Sequence, residues 1–448
     1  MAASSSSFSN RVGSFFKHPP WKAPDWNVPN GGKQRLLEKI AFFMAGCASN
    51  LSYVVILSAA ADIVDPSTPK GIVLVADILP SLLVKLIAPH LVFNMPYGLR
   101  AFICTALSFT AMQLIAWSTS LSTTLAGIVM ASASSGFGEM SWLMLTSYYP
   151  ALTVSAWSSG TGGAGILGAV LYLALTTWIG LSIHWSLVIF SFLPTGMLWA
   201  YFGILRPSKA RLSKDPSGRT SVSSDGHSDP DSLKQHHHRH TGPIDPREEE
   251  EGLEQGSTFN ASLSHRLSFI RTLILPYMLP LFLVYWAEYS INQGVSPALL
   301  YPLHNTPFTR LRDLYVYYQT LYQLGVFISR SSVSFFPIRR IWIPSLLQVI
   351  TLFLLTSEAM WSWIGSVWPI FILILWEGLL GGATYVNCYF LVRNNVVPEW
   401  REFALGVVGM SDGLGITAAG LTGVWLESAL CNWRSDHSMD PLCLSSVG

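Results

Sequence analysis

Apolar runs of about 20 residues, the length needed to cross a hydrocarbon bilayer, dominate this chain and restrict what it can fold into. They form two blocks, which are separated by the polar stretch Arg206–Ser268. That stretch consists mainly of Ser, Asp, Glu, His, Gly and Pro, so it cannot bury enough apolar surface to offset the entropy of ordering. We therefore predict two membrane-embedded bundles joined by one disordered tether.

The composition agrees with a membrane protein and argues against other classes. Of the 448 residues, 50% are hydrophobic and only 12% are charged, whereas soluble domains carry about 25% charged residues. A net charge of +1 provides no field that would attract nucleic acid. The five cysteines form no CxxC pair, and the chain contains no P-loop and no HExxH motif. We expect no catalytic residues, no metal site and no cofactor, and therefore a protein that is not an enzyme.

Eleven of the apolar runs are long enough to be membrane-spanning helices. The predicted organisation is a tail over 1–39, a six-helix bundle over 40–205, the tether over 206–268, a five-helix bundle over 269–426 and a tail over 427–448. Most of the 27 Lys and Arg residues fall in segments on the same side as the N-terminus. Because cytosolic segments are enriched in basic residues, we predict that the N-terminal tail and the tether are cytosolic and the C-terminal tail is lumenal.

A weak internal repeat relates the two blocks. Spans four and five read GFGEMSWLMLTSYYP and AWSSGTGGAGILG, and spans ten and eleven read GLLGGATYVNCYFLV and FALGVVGMSDGLG. A shift of 246 residues places Gly160 on Gly406 and Gly163 on Gly409. We predict an all-α polytopic membrane protein that is major-facilitator-like, with about eleven transmembrane helices in two pseudo-repeated bundles and a substrate site between them. Chance similarity between Gly-rich spans is the alternative.

Polar residues inside the spans are the candidate functional residues. A charged side chain at the centre of a membrane helix costs about 2.5–3.5 kcal/mol or more, so those present usually face the protein interior. The predicted pathway for a solute or for protons contains Glu288, Lys85, Asn292, Glu139, Glu377, Asp412, Asp77, Arg330, Asn50 and Tyr53. For Glu139, Glu377 and Asp412, which lie in Gly-rich surroundings, helix packing with one polar partner each is the alternative to lining a cavity.

Glu288 and Lys85 have the most specific settings. Asn292 follows Glu288 by four residues and shares its helical face, so this pair suits the binding of a proton or a polar head group. A structural hydrogen bond to a neighbouring helix is the alternative for Glu288. Lys85 requires an anionic partner, for which Asp77 on the same helix is poorly placed. Glu139, an anionic group of the substrate, or extension of Lys85 to the cytosolic interface remain open.

Several stretches together resemble the battenin family, including its fungal vacuolar members. They include NLSYVVILSAAADI (50–63), SSGFGEMSWLMLTSYYP (134–150), WSSGTGGAGILGA (157–169), WAEYSINQG (286–294) and REFALGVVGMSDGLGI (401–416). The resemblance covers nearly all of the membrane part and neither the N-terminal tail nor the tether. It implies a multi-pass protein of the vacuolar or lysosomal membrane with a role in vacuolar transport and pH homeostasis.

The resemblance also suggests a substrate class, namely basic amino acids or glycerophosphodiesters. We therefore expect a transporter that moves a small polar solute by alternating access, with proton coupling through Glu288 as a hypothesis. Its partners would be the solute, protons and the lipid bilayer, with no nucleic acid. The alternative is a membrane scaffold that regulates trafficking or the vacuolar proton pump without moving a solute.

Overall fold

The computed structural model describes residues 33–63, 70–92, 95–205, 263–302, 304, 306–308 and 311–436. The N-terminal tail up to residue 32, the tether from 206 to 262 and the tail from 437 onward lie outside the described residues. Within the described ranges we distinguish eleven long helices: α1 (Lys33–Ile63), α2 (Lys70–Leu91), α3 (Tyr97–Ala116), α4 (Leu121–Leu145), α5 (Leu152–Leu173), α6 (Ile183–Leu205), α7 (Leu263–Val295), α8 (Leu311–Ser331), α9 (Trp342–Trp361), α10 (Val367–Asn395) and α11 (Pro398–Asp436).

The helices have the lengths and compositions that a membrane requires. Eight of them, namely α1, α3, α5, α6, α7, α9, α10 and α11, are long and apolar enough to cross a bilayer. The others, α2, α4 and α8, contain 22, 25 and 21 residues, which is also sufficient at a rise of about 1.5 Å per residue. These three carry the predicted site residues Asp77, Lys85, Glu139 and Arg330. The described helices confirm the predicted all-α polytopic fold.

The helices form two halves, α1–α6 and α7–α11. In the first half α1 packs along α5, and α4 packs against both α2 and α3. In the second half α8 packs along α10, and α7 packs along α11 and α9. The halves contact each other most extensively along two helix pairs, α2 with α11 and α5 with α8. If each helix of the first half corresponds to the helix six places later, α2 corresponds to α8 and α5 to α11, so each of these pairs is equivalent to the other. This is the relation expected for an internal repeat with a binding site between its halves.

Three helix ends differ from the prediction. Helix α1 begins at Lys33, within the tail predicted over 1–39. Helix α7 begins at Leu263, where the tether was expected to continue to residue 268, because its first turns pack on α11: the Phe269 ring lies 4.6 Å from that of Trp400. Helix α11 continues to Asp436, although the tail was expected from residue 427. Its last turn is held by Arg434, whose Nη1 donates to two backbone oxygens of the second half. Tertiary contacts therefore extend α7 and α11 beyond their apolar runs.

The structure supports the internal repeat for α4 and α10. A Cβ built on Gly136 of α4 would lie 2.7 Å from the carbonyl oxygen of Ser81 on α2. A Cβ built on Gly382 of α10 would lie 2.7 Å from the carbonyl oxygen of Val326 on α8. These two glycines are 246 residues apart, which is the shift that the sequence suggests. Close backbone approach at a small residue is thus repeated in both halves.

The same shift does not describe α5 and α11. Gly160 of α5 packs against the backbone of Phe43 on α1. Gly406 of α11, its predicted equivalent, lies instead beside Met144 of the first half. The glycines of α11 that meet the backbone of α7 are Gly415 and Gly423. The predicted equivalence of Gly160 and Gly406 is therefore wrong, because α11 has a different register from the one that the sequence alignment suggested.

Exposed tryptophans mark one boundary of the membrane. They lie at the ends of α3, α5 and α9 and at the starts of α6 and α10, which fall on the same side of the molecule as the end of α11. Amphipathic indole rings concentrate where a bilayer meets water. The residues are Trp117, Trp178, Trp185, Trp361, Trp363 and Trp368.

Candidate functional site

Lys85 of α2 is paired with carboxylates from both halves. It lies one turn beyond Ser81, and Glu139 of α4 lies nearly one turn beyond Gly136, so the close approach of the two helices brings them together. Lys85 Nζ lies 2.6 Å from Glu139 Oε2. The same nitrogen lies 2.9 Å from Oδ1 of Asp412 on α11. Of the alternatives for Lys85, the structure shows pairing with Glu139 and adds Asp412 as a second partner.

Tyr385 of α10 approaches Glu139 from the second half. Its hydroxyl donates to Glu139 Oε1 at 2.6 Å. The guanidinium of Arg330 lies over the Tyr385 ring, 4.2 Å from the ring centroid, which is a cation–π arrangement. Arg330 Nη1 also donates to Thr161 Oγ1 of α5 at 2.6 Å, and its Nη2 donates to the hydroxyl of Tyr285 at 3.0 Å. Arg330 thus joins the halves through neutral partners.

We refer to Lys85, Glu139, Arg330, Tyr385 and Asp412 as the seam cluster, because they lie where the halves meet. Two carboxylates share one ammonium group, whereas these contacts give the guanidinium no carboxylate as a hydrogen-bonding partner. The side chains of Lys85, Glu139 and Asp412 are 5%, 13% and 4% exposed. The cluster therefore offers an acidic end and a basic end within a largely desolvated surface, where each charge interacts strongly.

A second polar group lies inside the second half. Asn292 Nδ2 donates to Glu377 Oε1 at 3.0 Å and to the backbone oxygen of Glu288 at 3.1 Å. Asn292 Oδ1 accepts from Gln319 Nε2 of α8 at 3.2 Å. Asn292 belongs to a π-helical turn, Ile291–Val295, a distortion that often occurs at functional sites. Asn292 therefore binds the carboxylate of Glu377 and the backbone of Glu288, the residue with which it was predicted to hold a proton or a polar head group.

The carboxylate of Glu288 is held separately. Its Oε1 accepts a hydrogen bond from the hydroxyl of Tyr322 on α8, and its Oε2 lies against Gly381, where a Cβ would overlap it. Oε2 of Glu288 and Oε2 of Glu377 have no hydrogen-bond partner among the described residues. The two residues are 1% and 0% exposed. We refer to Glu288 and Glu377 as the acid pair.

A third group joins the halves at the end where the α2–α3, α4–α5 and α10–α11 turns meet. Glu402 of α11 accepts from the hydroxyl of Tyr97 at 2.5 Å and from that of Tyr148 at 2.7 Å. Arg393 of α10 donates to the backbone oxygen of Tyr149 at 2.6 Å. We refer to these five residues as the latch. They hold the two halves against each other at this end of the molecule.

Three of the predicted residues lie outside these groups. Asp77 is buried, and its carboxylate oxygens have no hydrogen-bond partner among the described residues. Asn50 Nδ2 donates to the backbone oxygen of Gly46, one turn earlier in α1, at 3.3 Å. The side chain of Tyr53 lies outside the described residues. The predicted residues thus divide among the seam cluster, the acid pair and these separate positions.

Residues 409–413 read GMSDG and have the GxSxG spacing of hydrolase nucleophile elbows. In those enzymes the serine lies on a strand-to-helix turn. Here Gly409 connects two helical segments of α11, and Ser411 Oγ is buried without a hydrogen-bond partner among the described residues. The structural context that would support hydrolase chemistry is therefore not the one found at this motif.

Sequence reasoning missed Tyr385, Tyr322 and the latch. One signal was present for Tyr385, because the repeat shift of 246 places it on Glu139, its partner in the structure. No comparable signal identifies Tyr322, since tyrosine is common in membrane helices. Glu402 and Arg393 lie at helix ends, where charged residues are usual and carry little information.

The comparisons with known proteins agree with this architecture. A family model described as CLN3 protein matches residues 40–433. "Protein btn-1" of Neurospora crassa is 44% identical over 416 residues, which cover 90% of this chain and 90% of that protein. "Protein BTN1" of Yarrowia lipolytica is 45% identical over 398 residues, which cover 88% of this chain and 94% of that protein.

A solved structure supports the fold class independently. The human organic anion transporter MFSD10 superposes with a TM-score of 0.56 at 13% identity, covering 92% of this chain and 99% of that one. At this identity the likeness concerns the fold alone, which is of the major-facilitator type. The extent of the family match and the identity to the fungal relatives determine the family: the chain belongs to the CLN3 protein family, the battenin family that its motifs resemble.

Proposed function

We propose that this protein is a vacuolar membrane carrier that moves a small polar solute by alternating access and is not an enzyme. The seam cluster is the observation that carries this proposal. Charged groups from both halves meet at Lys85, Glu139 and Asp412, at the position where transporters with internal repeats bind their substrates. Such groups are costly within a membrane protein, and those retained there commonly mark substrate and ion pathways.

The pairing within the cluster suggests how a solute would be held. A cationic group of the solute can compete with Lys85 for Glu139 and Asp412, because these two carboxylates share a single ammonium group. An anionic group can bind Arg330, whose partners Thr161 and Tyr285 are neutral. Arginine is well suited to carboxylate and phosphate groups because its donors are planar and forked. We infer a solute with both kinds of charge, which agrees with an amino acid or a glycerophosphodiester that carries an amine.

The latch supports alternating access. Exchange of access requires contacts that close one end of the site and can break. In the carrier that we propose, Glu402 and Arg393 keep the end at the α10–α11 turn closed, and a solute would reach the seam cluster from the opposite end. Breaking the latch would let the halves rock apart and expose the cluster at the first end.

We propose that the latch end faces the cytosol and the opposite end faces the vacuolar lumen. Lys and Arg are concentrated in the segments before α1 and between α6 and α7, and they flank the α10–α11 turn; all of these parts of the chain adjoin the latch end of the helices. Cytosolic segments are enriched in basic residues in the same way. Cys431, near the opposite end, is disulfide-bonded, whereas Cys47, Cys104 and Cys388 are free. A disulfide there fits an oxidising lumen. Membership of the battenin family is consistent with the vacuolar membrane, and a contribution to vacuolar pH is what the family resemblance implies.

Proton coupling is the remaining part of the proposal, with Glu288 as the proton-responsive carboxylate. It is buried and hydrogen-bonded by one tyrosine, so a change in its charge would change local packing. In sealed proteoliposomes, Glu288→Gln should lower solute uptake and remove its dependence on pH. If both the rate and the pH dependence stay as in the unmodified chain, the coupling role of Glu288 is wrong.

The carrier is tested by comparing small polar metabolites retained in vacuoles from cells with and without the protein. A solute that changes is then offered to proteoliposomes containing the purified full-length chain. We expect uptake in proportion to the amount of protein, loss of uptake in Lys85→Met, and unchanged uptake in Glu399→Gln, which alters an exposed residue near the latch. If no solute that changes is taken up by the liposomes, the scaffold alternative replaces the carrier.

A further inference from the structure

We propose that Glu288 and Glu377 together form a proton-binding site within the second half, separate from the seam cluster, and that they share one proton. Its role as the coupling site rests on the proposed carrier function, but its existence does not. The ligand is a proton held between two buried carboxyl groups and ordered by Asn292. Glu377 thereby becomes a member of the ion site, where the sequence suggested a residue that lines the solute cavity.

The first argument is the incomplete bonding of the pair. Tyr322 donates to one oxygen of Glu288, and Asn292 donates to one oxygen of Glu377. The second oxygen of each carboxyl group is buried and has no hydrogen-bond partner among the described residues. An unsatisfied buried oxygen is costly, and the cost is larger when it carries charge. A proton supplies a donor and removes one of the two negative charges.

The internal repeat provides an observation that is independent of the bonding. The close helix crossings at Gly136 and Gly382 identify the equivalent residues of α4 and α10. Because Gly382 corresponds to Gly136, Glu377, five residues before Gly382, corresponds to Ala131.

The fold therefore does not require an acid at the position of Glu377. Helix α4 packs in the first half with Ala131, which is small and apolar. A residue that served packing alone would be expected to recur in both halves along with the packing glycine. Helix α10 instead has a buried carboxyl group there, although burying it is costly. This asymmetry points to a ligand that the second half binds by itself.

The titratable and charged groups around the pair allow a proton to be exchanged. From α8, Tyr322 contacts Glu288, and Arg330 acts on it from a greater distance through its charge. From α7, Tyr285 and Tyr289 lie near the Tyr322 hydroxyl, and from α10 the nearby charged group is Glu377 itself. Among the hydrogen bonds and ion pairs of the described residues, none joins a cation directly to either carboxyl group. A single proton can therefore move between the carboxyl groups without first breaking an ion pair.

The arrangement also separates the proton from the solute. Arg330 belongs to the seam cluster, where its guanidinium lies over the Tyr385 ring, and its charge also acts on Glu288. Loss of the shared proton leaves the pair more negative and attracts Arg330 away from the seam. Protonation would release Arg330 to bind an anionic group of the solute. The two sites are thus linked by a residue that both of them can attract.

The site is tested by infrared difference spectroscopy on the purified full-length chain in nanodiscs, titrated between acidic and neutral pH. A protonated carboxyl group has a carbonyl stretch that shifts in heavy water and disappears when the proton leaves. We expect such a band in the unmodified chain, and we expect Glu288→Gln and Glu377→Gln each to abolish its titration, because the proton is shared. Glu399→Gln should leave it unchanged. Glu377→Ala provides a second variant that should fold, since the first half has Ala131 there.

Three results would overturn the inference: no titrating band in the unmodified chain, a band that either single substitution leaves intact, or a band that sodium ions displace at constant pH. The last result would identify a sodium site. None of these results depends on solute movement. A carrier whose uptake continues without this band would retain the proposed function and lose the proton site. A band without uptake of any solute would retain the site and reject the carrier.

Discussion

The two halves of the molecule share their packing contacts and differ in their charged residues. Gly136 and Gly382 meet the backbone of the neighbouring helix at the same distance, at Ser81 and Val326 respectively. Lys85 follows Ser81 by four residues, and Arg330 follows Val326 by four residues. At the next matched position the first half has Glu139 and the second has Tyr385, and these two are hydrogen-bonded to each other. The equivalent residues of the repeat therefore meet at the seam.

This difference distinguishes the contacts that maintain the fold from those that serve function. Small residues at helix crossings recur in both halves because two helices cannot approach closely without them. The first half has Glu139 at the position where the second half has Tyr385. Lys85 therefore contacts a carboxylate, whereas Arg330 contacts an aromatic ring. Symmetric residues maintain the architecture, whereas asymmetric ones give the seam an acidic end and a basic end.

Removing the cation from each half should have unequal effects. Lys85→Met leaves Glu139 and Asp412 buried without their ammonium partner, so we expect a loss of about 3–5 kcal/mol in stability. Arg330→Met leaves only neutral partners and should cost clearly less. Thermal unfolding of the purified chains in detergent measures both. Adding Asp412→Asn to Lys85→Met should recover part of the loss; equal losses for the two single variants would contradict the asymmetric charge pairing.

Adding a methyl group at the matched glycines should have equal effects. Gly136→Ala and Gly382→Ala each push a Cβ against a neighbouring backbone, for an overpacking cost of about 1–3 kcal/mol. Gly381→Ala provides the contrast, because its Cβ meets the Glu288 carboxylate, a side chain that can move. It should cost less stability and alter the infrared band of the acid pair. Unequal unfolding temperatures for Gly136→Ala and Gly382→Ala would show that the contacts are not equivalent.

The asparagines of α1 and α7 should differ because their partners differ. Asn50→Ala removes a hydrogen bond to the backbone of its own helix, which is worth about 0.5–1.5 kcal/mol. Asn292→Ala also deprives Glu377 and Gln319 of a buried partner and should cost about 1–3 kcal/mol. Only Asn292→Ala should change the pH dependence of solute uptake. An equal change in both variants would argue against a site confined to the second half.

The latch should have a small effect on stability and a visible effect on conformation. Glu402→Gln keeps one acceptor for Tyr97 and Tyr148 but removes the ionic contact with Arg100, which also donates to two backbone oxygens of its own half, so we expect a loss of about 0.5–1.5 kcal/mol. The population with the latch end open should rise, as measured by spin-label distances across that end. Glu399→Gln, on the exposed face of the same helix, should change neither quantity. No shift in the distances would mean that Glu402 does not hold the halves together.

The site could be predicted only in part from the sequence. The cost of buried charge identified Lys85, Glu139, Glu288, Glu377 and Asp412 as residues that face the interior. It could not say which would meet, because their partners lie far away in the chain. Lys85 and Asp412 are 327 positions apart, and their contact depends on how α2 and α11 cross. The aromatic partners carry no charge, so the same argument could not find them.

The sequence by itself determined the membrane class, the two halves and the family, because bilayer thickness dictates the length of apolar runs and the motifs are contiguous. It also determined the match between α4 and α10, since a close helix crossing requires glycine at one position. Only the tertiary structure decided the register of α11, the length of α7 and the division of the acids into a seam cluster and an acid pair. Those features depend on helix rotation and crossing, which distant side chains determine together and no local stretch encodes.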